Sequence, residues 1–224
     1  MNSRNLPPVS GRTALLDARQ PQSLEQAAAL LRQGGLVAFP TDTVYGLGAL
    51  VWNEASVARI YRAKARPPEK AIPVLLAGVS QLALLGIEAA PLLLALAERF
   101  WPGPLTLVVA CDARVPEIVT AGTQTVAVRV PDHRVAQRLF ELAGQPLAVT
   151  SANLSGRANP LTARDVMAQL DGRIEAVVDA GVCPGGVPST VLDLTASPPR
   201  ILRQGPVVMP DLSFLLRDHG LLSE

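Results

Sequence analysis

The sequence predicts an α/β fold: a twisted, open, mixed sheet with flanking helices. Three observations carry that expectation. Short apolar runs bounded by Gly, Pro or Asn alternate with stretches of helical spacing along most of the chain. Of the 224 residues, 49% are apolar, enough for a sizeable buried core. No linker-like segment divides the chain and no segment repeats, so one domain is expected.

The elements follow in order. Residues 1–12 are polar and proline-bearing and read as a loose arm. Residues 1–20 are taken as this arm with a first strand, 21–208 as the main body and 209–224 as a short amphipathic tail. Ser23 with Gln26 forms a candidate capping box for a helix to Arg32, with Leu24, Ala27, Leu30 and Leu31 on its apolar face. Gly34 and Gly35 stop it. Leu36 to Phe39 is a buried strand, and PTDTVYGLG continues it into a loop. Asn53 caps the next helix, whose stripe of Val57, Ile60 and Tyr61 leads to Lys64. Pro67 and Pro68 end it and push Arg66 toward extended backbone. Ile72 to Leu76 is a strand, followed by helices at Val79–Leu84 and Ala90–Phe100. WPGPLTLVVAC gives a turn and a strand, and TVAVRVP gives another. Asp132 is the expected cap of a helix to Ala143. Pro146 to Val149 leads into SANLSG, and Thr162 with Asp165 starts a helix to Leu170. Ala176–Val178, Thr190–Leu194 and Ile201–Arg203 are the closing strands.

Composition excludes several function classes. The net charge of +1 gives no global field for nucleic acid. Aromatic content of 4% argues against a base-stacking platform. Cys111 and Cys183 lack metal-like spacing and fit a reduced, cytoplasmic compartment. The N-terminus has no apolar core of a signal peptide. Leu82 to Ala97 is interrupted by Gly86, Glu88 and Pro91, so no membrane association is expected.

The polar residues at strand ends and turns carry the chemistry. They are Thr41, Thr43, Tyr45, Lys64, Arg66 and Lys70, then Thr125, Arg129, Ser151, Asn153, Ser155, Asn159, Ser189 and Arg203. Cations and hydroxyls dominate and carboxylates are few, which suits a ligand with several phosphates. Only two of the 20 basic residues are lysines, and both lie in KARPPEK. A compact ammonium is not interchangeable with a guanidinium. Structural alternatives stand beside each group. Lys64 could answer a helix dipole. Arg66 and Lys70 could be a solvated loop, and SANLSG a simple turn. Arg129, on a strand of Val and Ala, needs an anion, which could be a ligand or a structural carboxylate. There is no P-loop, no G-x-G-x-x-G after a strand and no zinc spacing, and His133 and His219 fall in no nucleophile motif. What remains is catalysis by positioning and charge neutralisation, as in nucleotidyl transfer.

The series GGLVAFPTDTVYGLGA, KARPPEK, WPGPLTLVV, TVAVRVPDH, PLAVTSANLSG, PSTVLDL and ILRQG resembles the YrdC-type domain of threonylcarbamoyl-AMP synthases, from about Ser23 to Pro206. Its signature is K-x-R with S-x-N, here Lys64-Ala-Arg66 and Ser151-Ala-Asn153. The resemblance implies a sheet around a large basic concave cavity. It implies synthesis of L-threonylcarbamoyladenylate and diphosphate from L-threonine, bicarbonate and ATP. That is the first step toward threonylcarbamoyladenosine at position 37 of tRNA.

By the same resemblance, Lys64 and Arg66 carry catalysis. Arg66, Lys70, Thr125, Ser151, Asn153, Asn159 and Arg203 meet ATP. Thr43, Arg129, the Val149 backbone and Ser189 meet L-threonine. Mg²⁺ enters with ATP and no protein metal site is expected. tRNA and a downstream threonylcarbamoyl-transferase complex are implied partners, as for a short, single-domain form. Lys70 departs from an asparagine of some relatives, and Leu75 from a threonine-contacting histidine. The competing readings are a double-stranded RNA or tRNA-binding module and a carbamoyl-adenylate-forming domain of the hydrogenase-maturation type.

Overall fold

A computed structural model describes residues 11–221. Within them, ten strands form one sheet. These are β1 (Ala14–Asp17), β2 (Val37–Phe39), β3 (Gly46–Leu50), β4 (Val74–Leu75), β5 (Leu105–Ala110), β6 (Thr125–Arg129), β7 (Leu147–Ser151), β8 (Ala176–Asp179), β9 (Thr190–Asp193) and β10 (Arg200–Arg203). Their spatial order is β1-β8-β2-β3-β7-β4-β6-β5-β9-β10. The sheet is mixed. β8 lies parallel to β1 and β2, β4 parallel to β6, and β5 parallel to β9. The central pairs β2/β3, β3/β7 and β4/β7 are antiparallel.

Helices cover both faces: α1 (Pro21–Arg32), α2 (Glu54–Lys64), α3 (Pro91–Phe100), α4 (Glu117–Thr120), α5 (Arg134–Ala143), α6 (Ala163–Leu170) and α7 (Met209–Asp218). Strand side chains alternate between two cores, as pleating requires. Val37, Phe39, Leu75, Leu147, Val149 and Val178 face α1 and α5. Ala38, Leu47, Val74, Ala148 and Val177 face the larger core, shared with residues of α2, α3, α6 and α7. On the first face Phe39 and Phe140 pack edge to face with centroids 5.5 Å apart.

Local chemistry explains most element ends. Asn53 caps α2 by accepting from the Ser56 N–H at 3.1 Å. The capping box of Thr162 and Asp165 opens α6. Gly34, at φ +86°, ends α1 in a conformation that favours glycine.

Four expectations are corrected. The residue before α1 is Gln20 rather than Ser23, and no side chain caps it. Pro21, with φ preset and no N–H to satisfy, starts the helix early and leaves Ser23 buried in the first turn. α5 is preceded by His133, not capped by Asp132, whose own N–H donates to Asp42 at 3.2 Å. The Val79–Leu85 segment is a 3₁₀ helix ended by Gly86. The loop expected through PTDTVYGLG contains β3. The segment expected as an amphipathic tail forms α7, which buries Leu212 and Leu216. Among the described residues, no helix is long and apolar enough to cross a membrane.

Candidate active site

A cavity of about 250 Å³ opens beside the antiparallel pair β3/β7. Gly46 and Val149 form part of its wall, where a Cβ on Gly46 would lie 2.7 Å from Val149 Cγ1. Glycine is therefore needed for the two strands to pack as they do. The lining contains Arg66, Arg129 and Arg203 and, among the described residues, no carboxylate.

Arg129 ends β6 and is 5% exposed. Its Nε donates to the Gly103 carbonyl at 2.8 Å and its Nη1 to Thr43 Oγ1 at 3.1 Å. Its Nη2 forms a buried ion pair with Asp42. The structural carboxylate left open by the sequence is therefore present. Burial pushes the Arg129 pKa down, and the charge of Asp42 opposes that shift. A guanidinium has five N–H groups, so two remain beyond these three contacts. Thr41 gives its hydroxyl proton to the Val44 carbonyl at 2.7 Å and lies 3.0 Å from Thr43 Oγ1. Thr43 therefore donates to Thr41 while accepting from Arg129, and the hydroxyl orientations are fixed.

Further lining residues come from β10 and from the residue just before β9. Arg203 donates twice to the Ser189 carbonyl, at 3.0 and 2.8 Å, and once to Ser189 Oγ at 3.1 Å. Ser189 Oγ also lies 2.8 Å from the Thr106 hydroxyl. Arg66 is braced by the carbonyls of Lys70 and Ala71, at 3.1 and 2.7 Å. Burial lowers the pKa of both Arg66 and Arg203. Neither has a carboxylate partner among the described residues, so both are available to an anionic ligand.

Eight of the twelve residues expected from the sequence line this cavity: Thr43, Arg66, Arg129, Val149, Ser151, Asn159, Ser189 and Arg203. Leu75 lines it too, opposite Arg129 in the β4/β6 register. Lys64, Lys70, Thr125 and Asn153 do not. Lys64 is 2% exposed, and its ammonium donates to the carbonyls of Ser151 and Asn153. Lys70 is exposed on the loop after α2. Thr125 opens β6, its hydroxyl 3.1 Å from that of Thr123. The Asn153 amide donates to the carbonyls of Leu154 and Arg157, at 3.0 and 2.8 Å. Two contributors were missed by the sequence reading. Asp42 adjoins an expected ligand contact, a signal that was available. Thr106 is a lone hydroxyl in an apolar strand, a weaker one.

The family model for Sua5, YciO and YrdC proteins, described as telomere recombination, matches residues 29–205. The chain belongs to this family. Its curated relatives include the threonylcarbamoyl-AMP synthase of Pyrococcus abyssi (strain GE5 / Orsay), 46% identical over 186 residues, or 83% of this chain and 55% of the relative. The enzyme of the same name from Bacillus subtilis (strain 168) is 46% identical over 203 residues, 90% of this chain and 58% of that one. The chain thus spans little more than half the length of these curated relatives. Among solved structures, that of Pyrococcus abyssi Sua5 complexed with L-threonine superposes with a TM-score of 0.87 at 42% identity, covering 91% of this chain and 60% of that one. Membership in the Sua5/YciO/YrdC family accounts for the order of the sequence motifs and for the mixed sheet.

Proposed function

We propose that this chain is a threonylcarbamoyl-AMP synthase, a nucleotidyltransferase that converts L-threonine, bicarbonate and ATP into L-threonylcarbamoyladenylate and diphosphate. One observation carries the reading. The cavity joins a carboxylate-free arginine set to a small hydroxyl-lined recess around Arg129, Thr43 and Ser189. The relatives' name and the L-threonine complex of the Pyrococcus abyssi protein support it.

In this reading the two remaining N–H groups of Arg129 bind the threonine carboxylate, and Thr43 and Ser189 flank the amino acid. Leu75 contributes only apolar contact to that recess. The threonine amine combines with bicarbonate, losing water, to give a carbamate. A carbamate oxygen then attacks the ATP α-phosphorus, and diphosphate leaves in line. Arg66 and Arg203 neutralise the phosphate charge that develops, and Ser151 and Asn159 orient the nucleotide. Lys70 and Thr125, outside the lining, are assigned to the outer reach of the nucleotide, and buried Asn153, whose amide holds the Leu154 and Arg157 carbonyls, to the loop that carries Ser151 and Asn159. No three His, Cys, Asp or Glu side chains gather as a metal-ligand set among the described residues. Mg²⁺, entering with ATP as part of the substrate, would neutralise charge on the phosphates.

Purified protein incubated with L-threonine, bicarbonate and Mg·ATP is expected to form diphosphate and the adenylate, detected by mass spectrometry, only when all three are present. Diphosphate release independent of threonine would overturn the assignment. Downstream, the adenylate would pass to a threonylcarbamoyl-transferase complex acting on tRNA. Binding to tRNA without threonine-dependent turnover would instead favour the RNA-binding reading.

A further inference from the structure

Lys64 belongs to the signature carried by the sequence, yet it is absent from the cavity lining and is 2% exposed. Its ammonium donates to the backbone carbonyls of Ser151 and Asn153, and its own carbonyl accepts the Ser155 N–H at 2.8 Å. The last residue of α2 thus holds three points of one loop. Of those three residues Ser151, the last of β7, lines the cavity. Among the described residues Lys64 makes no ion pair.

We propose that Lys64 is a positioning residue: its buried ammonium ties the Ser151–Asn153 backbone to the end of α2, and its contribution to nucleotide binding passes through Ser151. The proposal rests on the ATP-binding reading given above. It explains why a lysine stands here in a chain whose 20 basic residues include only two lysines. The task needs donors diverging from one compact nitrogen toward carbonyls on separate residues, which the flat fork of arginine does not supply. Burial, and after it the charge of Arg66, lower the Lys64 pKa to about 7, as expected for a cation without a carboxylate partner.

The test is a double-mutant cycle on Mg·ATP affinity, by calorimetry, with Lys64→Met, Ser151→Ala and the pair. Lys64→Met is expected to weaken binding about tenfold, and the same change made in the Ser151→Ala background to have little further effect. Additive losses would mean that Lys64 meets the phosphates directly, and would overturn the proposal. Because Lys64→Met also strands two carbonyls, a second measurement uses the wild-type protein. With ¹⁵N-labelled lysine there are two side-chain signals, from Lys64 and Lys70. In the free protein, below its midpoint, the Lys64 ammonium is expected to give a cross-peak protected from solvent exchange. A rapidly exchanging Lys64 ammonium would overturn the proposal even if the variant fails to fold. Failure of wild-type protein to bind Mg·ATP would count against the synthase reading and leave the exchange measurement standing.

Discussion

Replacing Asp42 with asparagine tests the architecture of the amino-acid recess. The Asp42 carboxylate and the Arg129 guanidinium form an ion pair with side-chain exposures of 13% and 6%. Two unit charges about 4 Å apart attract by about 4 kcal/mol at an effective dielectric of about 20. The Asp42→Asn amide would keep an acceptor oxygen for Nη2 but lose the charge, leaving a buried cation with neutral partners only. Breaking one side of a buried pair costs about 3–5 kcal/mol, and the retained acceptor places this case near 3. For a chain of this size that corresponds to a fall in Tm of roughly 6–12 °C. Calorimetry should also show threonine affinity reduced while Mg·ATP affinity is largely kept, because Arg66 and Arg203 lie on other elements. The double variant Asp42→Leu with Arg129→Met should recover much of the stability and none of the threonine binding. An Asp42→Asn protein that melts as wild type and binds threonine normally would refute the reasoning.

Three further outcomes are expected. Gly205→Ala places a Cβ 2.4 Å from both the Pro188 carbonyl oxygen and the Thr190 nitrogen, backbone atoms that cannot rotate away. It should cost about 1–3 kcal/mol in chemical unfolding and disturb Ser189 between them, lowering threonine affinity. Thr162→Ala removes the α6 cap and should cost about 1 kcal/mol with adenylate synthesis unchanged, since α6 contributes nothing to the cavity lining. The third concerns pH. Lys64 has its folded pKa lowered to about 7, whereas an unfolded lysine titrates near 10.4. Between those values the unfolded chain holds a proton that the folded one has released, so this group makes stability rise with pH. Its slope approaches about 1.4 kcal/mol per pH unit in that window and vanishes below it, where both states are protonated. Urea unfolding of wild type and Lys64→Met across the window should differ by that slope; identical pH dependence would sink the assignment.

Elements with a strong local signal were legible in the sequence. Asn53 and the Thr162–Asp165 pair marked helix starts because side chains near in sequence satisfy the exposed N–H groups there. β3 was hidden because Gly46 and Gly48 are poor strand formers. Their place in the sheet is set by Phe39 and Val149, and a Cβ on Gly48 would meet Phe39 Cε1 at 2.9 Å. The start of α1 was misplaced because Pro21 outweighed the side-chain pattern of Ser23 and Gln26. At the site, the arginines and hydroxyls were recognisable by type and motif. The burial of Lys64 was not, since its partners are carbonyls 87 and 89 residues away, and carbonyls leave no mark in side-chain identity.

The strand order has a consequence for biosynthesis. Among the described residues β1 pairs only with β8, which is inserted between β1 and β2 although it is made far later. A nascent chain emerging N-terminus first therefore cannot secure its opening strand until most of the polypeptide has left the ribosome. The ligand recess, drawing on residues from Thr41 to Arg203, must wait longer still. A product ending before Ser189 would lack the Ser189 and Arg203 side of it.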